Sequence, residues 1–133
     1  MIYSKLSRNK YSRDDGWLAE LVSSNHDDVS FTDVHSYLVV IKPDKYRAMH
    51  YHKTKKEWLA LASGKIKIFL EDVKTKDQES IVLDENSEDF SIIYVPTMTG
   101  HVVKNIGKKN ASLVVFSKTA EIPGDTIDYD MEV

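Results

Sequence analysis

Alternation of hydrophobic and polar positions with a period of two runs through most of the chain. Residues 65–73 read KIKIFLEDV, with Ile66, Ile68 and Leu70 on one side and Lys65, Lys67 and Phe69 on the other. Such alternation predicts a strand, because successive side chains point to opposite faces of a sheet. Residues 32–41 (TDVHSYLVVI) are β-branched and aromatic and stop short of Pro43. Glu57–Ser63 (EWLALAS) has some helical propensity, but a run of seven ending at Gly64 predicts a strand. Residues 80–83, Phe90–Val95, residues 101–105 and Ala111–Ser117 continue the series. Turn formers separate them, at Pro43-Asp44, Ser63-Gly64, 74–77, Asn86-Ser87, Thr99-Gly100 and 107–110. Short strands with a turn about every 8 to 12 residues predict an all-β sandwich or barrel.

Composition narrows the class. A length of 133 residues suits one domain, taken as 1–133, with 122 onward read as an extended, acidic, Gly/Pro-broken C-terminal tail. The formal charge of −3 leaves no basic footprint for nucleic acid. Cysteine is absent, which excludes disulfides, thiolate metal sites and cysteine nucleophiles. No apolar run approaches the roughly 20 residues of a membrane helix, and no secretory leader is visible. The expectation is a cytoplasmic protein without a membrane partner.

Five histidines change the picture. His50-Tyr51-His52 is expected at the start of a strand, where residues i and i+2 share a face. With Glu57 and Gly64 it forms HxH(x)4E(x)6G, and a second segment, Pro96 to Asn105, reads P(x)3GH(x)3N. In a chain with five His and eight Glu, HxH(x)4E is expected by chance only about 0.01 times. Three neutral imidazoles and a carboxylate suit a borderline divalent ion such as Zn, Fe, Mn, Ni or Co. Glu57 is expected on the strand next to the histidine pair, across a tight turn at 53–56. Gly100 is expected to bend the backbone so that His101 enters from the opposite sheet. The alternative is that His50 and His52 line a polar strand face and Glu57 is a solvated charge.

The two segments resemble the paired signature motifs of the cupin superfamily. The resemblance implies a double-stranded β-helix, a jelly-roll barrel, with His50, His52, Glu57 and His101 as metal ligands. The second motif lacks its usual leading glycine. Residues 15–21 (DGWLAEL) are similar to the N-terminal signature of RmlC-like cupins, relatives of dTDP-4-dehydrorhamnose 3,5-epimerase, although Asp15 stands where that signature has arginine. Residues 49–57 (MHYHKTKKE), Ser63-Gly64-Lys65, Val95-Pro96 to Gly107 and Pro123-Gly124-Asp125-Thr126 resemble the zinc-binding cupin domain of a capsular-polysaccharide enzyme. That bifunctional enzyme makes UDP-N-acetyl-L-fucosamine, and its separate reductase domain has no counterpart here. The epimerases carry a lysine at the Glu57 position, so their metal-free chemistry is not expected to transfer.

The resemblance implies a metal-dependent epimerase or isomerase of a nucleotide-linked 4-keto-6-deoxyhexose in cell-surface polysaccharide synthesis, with zinc the favoured ion. A ligated imidazole has no free lone pair, so the base must be another group, and His35, Tyr37 and Tyr129 are the candidates. His35 and Tyr37 share a strand face. Arg47, Lys53 and Lys56 are candidate cations for a diphosphate, or else solvated turn charges. Asn105 is a candidate for orienting backbone or for binding the substrate, and Trp17 and Trp58 are read as packing or interface residues before stacking on a base or sugar. A cupin dioxygenase and a non-catalytic sugar or nucleotide-sugar binding module are the alternatives. A homodimer is expected.

Overall fold

The computed structural model describes residues 2–133. Its elements are strands: β1 (Ser4–Arg8), β2 (Lys10–Arg13), β3 (Gly16–Ala19), β4 (His35–Ile41), β5 (Tyr46–His52), β6 (Glu57–Ser63), β7 (Lys65–Asp72), β8 (Gln78–Asp84), β9 (Phe90–Val95), β10 (Thr99–Asn105), β11 (Ala111–Ser117) and β12 (Thr126–Asp128). Among the described residues no helix is long and apolar enough to cross a membrane. One sheet runs β1-β9-β6-β11-β4, a second runs β12-β5-β10-β7-β8, and β2-β3 form a hairpin. All ladders are antiparallel. The all-β fold expected from the alternation, and the jelly roll that the resemblance implies, are what is observed.

The core lies between the two five-stranded sheets. Ile66, Ile68 and Leu70 of β7 bury the apolar side of their alternation against Leu59, Leu61 and Leu113 of the first sheet. A second apolar layer covers the other face of that sheet, where Trp58, Phe116 and Ile92 meet Trp17, Phe31 and Val29. Strand β6 is therefore buried on both faces, which is why EWLALAS shows no alternation. Both tryptophans are packing residues: Trp58 stacks on Phe116 at 6.1 Å, and Trp17 leans on Phe90 at 5.6 Å. The Trp17 hairpin, bearing the N-terminal signature, thus packs on the face of the first sheet away from the histidines.

Two expectations about placement are corrected. His50 and His52 close β5 instead of opening it, because the strand starts at Tyr46. His101 stands on β10 beside β5 in the same sheet, paired with His50, while Glu57 arrives on β6 of the opposite sheet. The extended arm read at 122–133 is held at 126–128, where β12 adds to the edge of β5. The turn at 53–56 is thus a crossing from one sheet to the other.

Asn105 also has a different place. It is fully buried four residues along β10 from His101, and all its side-chain polar groups serve backbone. Its amide donates to the Ile41 and Lys109 carbonyls, each at 2.8 Å, and its carbonyl accepts from Gly107 N at 2.8 Å. Both amide protons are thus spent on backbone carbonyls, and the residue does not line the pocket at the histidines. Asn105→Ala orphans two carbonyls and an amide, each costing about 1–3 kcal/mol when buried unpaired. We expect a loss of about 3 kcal/mol in urea unfolding; a loss below about 1 kcal/mol would show that the clamp is dispensable.

Candidate metal centre

β5 brings the histidine pair into the interior by a local irregularity. The ladder with β10 pairs His50 with His101 and Arg47 with Val103, although His50 and Arg47 are three residues apart. In a regular strand such residues face opposite ways, but one extra residue in the bulge restores the facing. Ala48 and Met49 absorb the distortion with φ of 80° and 64°. Left-handed conformations in non-glycine residues cost free energy that the surroundings must offset. The result is that Arg47, His50 and His52 all project inward.

The candidate ligand atoms of His50, His52, Glu57 and His101 lie within 4.8 Å of one another, and the last three side chains are buried. Glu57 Oε1 stands 2.9 Å from His52 Nε2 and 3.3 Å from His101 Nε2. The rings of His50 and His101 meet edge-on at 4.8 Å. Each buried histidine also uses its other nitrogen. His101 Nδ1 donates to the Thr99 carbonyl at 3.0 Å. His52 Nδ1 lies 3.1 Å from Thr126 Oγ1, whose proton goes to Glu121, so the hydroxyl accepts from the ring. Neutral imidazoles held in that way aim the lone pair of Nε2 at the carboxylate. Acceptor then faces acceptor, and a cation between them makes the arrangement favourable. The donor set and its tautomers therefore fit a divalent ion.

Charges around the cluster are set by burial and by the neighbours. Burial, with His101 and His52 close by, lowers His50 to about 4, so it is neutral at pH 7. Burial pushes the Glu57 carboxyl up, but the neighbouring His101 and His52 outweigh it and hold the group well below the usual range. Tyr37 donates its hydroxyl to Glu57 Oε2 at 2.9 Å. Burial and the Glu57 charge raise the phenol far above its ordinary value, so it stays protonated. Lys55, flanked by the exposed Lys53 and Lys56, is buried 3.6 Å from Glu57 Oε2 and 3.1 Å from Glu121. Sequence reasoning passed over it, although Lys55 and Glu57 have the i, i+2 spacing that puts two side chains on one face.

A pocket of about 120 Å³ opens onto the cluster. Its polar lining is Tyr37, Arg47, His50, Glu57 and His101, and aliphatic side chains such as Val39 and Leu113 make up the walls. His35 does not line it; it stands on the Tyr37 face of β4, the two rings 5.8 Å apart. Lys53 and Lys56 do not line it. Tyr129 is not there either: its ring packs on Tyr51 on the outside of the sheet, and its hydroxyl bonds Glu71 and Lys76. Tyr129 also explains Gly100. A Cβ at Gly100 would lie 2.5 Å from the Tyr129 ring, so glycine admits the aromatic instead of bending the strand.

The family described as Polysaccharide biosynthesis C-terminal domain matches residues 12–126. No curated protein matches the sequence. Solved structures are similar in fold. A dTDP sugar isomerase from Desulfovibrio desulfuricans G20 has a TM-score of 0.85 at 13% identity, over 96% of this chain and 83% of that one. A mutant 3,4-ketoisomerase QdtA from Thermoanaerobacterium thermosaccharolyticum, in complex with TDP-4-keto-6-deoxyglucose, gives 0.77 at 17%, over 96% and 87%. The capsular polysaccharide assembling protein CapF from Staphylococcus aureus gives 0.70 at 17%, over 93% of this chain but only 34% of CapF. What these structures share with this chain is the fold.

The shifts make the metal-free protein acid-sensitive. His50 titrates near 4 when folded against an ordinary 6.5, so between those values the unfolded chain binds more protons. Its contribution is full above about 6.5 and is lost as pH falls toward 4; Glu57, held low, adds a loss in the same direction below its ordinary 4.5. Urea midpoints of the metal-free protein should drop between pH 7 and pH 5, and His50→Gln should flatten the drop. An unchanged slope in that variant would show that His50 does not carry it.

Proposed function

Because the chain belongs to the polysaccharide biosynthesis C-terminal domain family, we propose that it isomerises or epimerises a nucleoside-diphosphate 4-keto-6-deoxyhexose for cell-surface polysaccharide. One observation carries the reading. An apolar pocket ends on a neutral imidazole, a carboxylate, a phenol and an inward arginine. Moving a ketone along a sugar and inverting the carbon beside it both begin with loss of the proton next to the carbonyl. Both therefore need a base and a means of stabilising negative charge on oxygen. The QdtA complex, with TDP-4-keto-6-deoxyglucose on the same fold, supports this substrate class.

His50, His52, Glu57 and His101 would hold a divalent ion, zinc being the best match to three imidazoles and a carboxylate. Such an ion supplies Lewis-acid stabilisation of a substrate oxygen. The remaining work falls to the chain. Tyr37, kept as a neutral phenol, orients Glu57 and cannot accept a proton at neutral pH. Tyr129 faces away. His35 is left as the base, on the face of β4 that Tyr37 shares, its ring 5.8 Å from the Tyr37 ring. Arg47 brings a planar guanidinium to the pocket, a shape that pairs with two oxygens of a diphosphate.

Incubation with UDP- and dTDP-4-keto-6-deoxyhexoses in deuterium oxide should place deuterium at C3 or C5, with or without oxygen. No exchange over a panel of such sugars would end the isomerase reading, and an absolute need for oxygen would favour a dioxygenase. His35→Gln should slow exchange by about a hundredfold or more while metal content stays at the wild-type level. Exchange at the wild-type rate would remove His35 as base.

The expected homodimer is supported by Leu38 and Val40, exposed at 73% and 54% on the edge strand β4. Sedimentation equilibrium should return twice the chain mass; a monomer at micromolar concentration would exclude it.

A further inference from the structure

The C-terminal arm touches the support of every residue in the cluster. In the β12–β5 ladder Thr126 lies opposite His52 and Asp128 opposite His50. Asp125 accepts from Thr54 N and Oγ1, both at 2.7 Å, and from Lys55 N at 3.1 Å, closing the turn that delivers Glu57. Tyr129 packs against Gly100, the residue before His101. Glu121 takes the Thr126 hydroxyl proton and pairs with Lys55, which stands behind Glu57.

We propose that residues 121–129 form an outer layer of the metal centre, and that Thr126 is the positioning residue that sets the tautomer of His52. The proposal rests on the metal reading of the cluster. A neutral imidazole has one proton for two nitrogens, so an ion at Nε2 requires that the proton be held at Nδ1. At Nε2 the competitor is strong, because Glu57 Oε1 stands 2.9 Å away and is charged. A proton there would bond the carboxylate and leave no lone pair for an ion. At Nδ1 the alternatives are Thr126 Oγ1 at 3.1 Å and Asp125 Oδ2 at 3.8 Å, the latter too far for a hydrogen bond. Glu121 completes the device by drawing the hydroxyl proton to itself, which turns an Oγ1 lone pair toward the ring. Carboxylates on the arm, with Lys55 of the 53–56 turn, thereby act on the ligands without touching an ion.

The test is zinc titration against a chromophoric chelator, with imidazole nitrogen NMR of the metal-free protein as a second readout. Thr126→Val keeps the shape and removes the acceptor. It should weaken zinc binding about 10- to 100-fold and move the His52 proton to Nε2, while Thr126→Ser should stay within about threefold of wild type. Should the valine variant fail to fold, Glu121→Ala alters a side chain that is 60% exposed and is expected to weaken binding by about tenfold. Zinc affinity within about twofold of wild type in both Thr126→Val and Glu121→Ala, with the His52 tautomer unchanged, would overturn the arm's role alone. A wild-type protein that takes up no zinc would instead sink the metal reading and the arm's role with it.

Discussion

Three imidazoles and a carboxylate, crowded into the interior of a small barrel, form a cluster that lone-pair repulsion would drive apart. Much of the surrounding structure can be understood as keeping it together. Tyr37 and Lys55 address one carboxylate oxygen of Glu57, at 2.9 and 3.6 Å, and leave the other to the histidines. Thr99 and Thr126 take the outward protons of two rings. Burial without such partners would cost several kcal/mol per charged group. The neighbouring donors make the carboxylate tolerable, and an ion completes the set.

Geometry follows from the same requirement. Glu57 comes from one sheet and the histidines from the other, so the cluster bridges the layers at one end of the core. A short turn at 53–56 carries the chain across, and Asp125 fixes it by capping two backbone amides. The bulge at Ala48 and Met49 adds Arg47 to the inward set at the expense of two left-handed residues. The cluster thus sits where sheets, turn, bulge and arm converge. Aliphatic side chains occupy the rest of the interior and hold the layers at their spacing.

Much of this was legible in the sequence, for identifiable reasons. Strands β6, β9 and β11 have the bounds that apolar runs and turn formers predict. The pairing of His50 with His52 on one face needs only the period of a strand. Which sheet carries Glu57 and which carries His101 was read the wrong way round, because spacing along a chain does not say whether a turn pairs neighbours or crosses between layers. Arg47 could be picked for its charge, but its inward direction depends on a bulge that no residue type announces. Asn105 looked like a site group because it follows His101 at motif spacing, yet its partners are the Ile41 and Lys109 carbonyls and the Gly107 amide. Lys55 was hidden between two exposed lysines of the same type, and only the i, i+2 spacing to Glu57 sets it apart.

The arm also has a bearing on the order of events during synthesis. All four cluster residues lie between His50 and His101, so they leave the ribosome together with the strands that carry them. Thr126 lies 74 positions after His52 in the chain, and the contact between them is among the most distant in sequence that the fold makes. The β1–β9 and β4–β11 ladders span comparable distances, but their strands are all synthesised before β12. A nascent chain can therefore close its barrel while His52 is still free to carry its proton on the wrong nitrogen, and the centre matures only when the last strand docks.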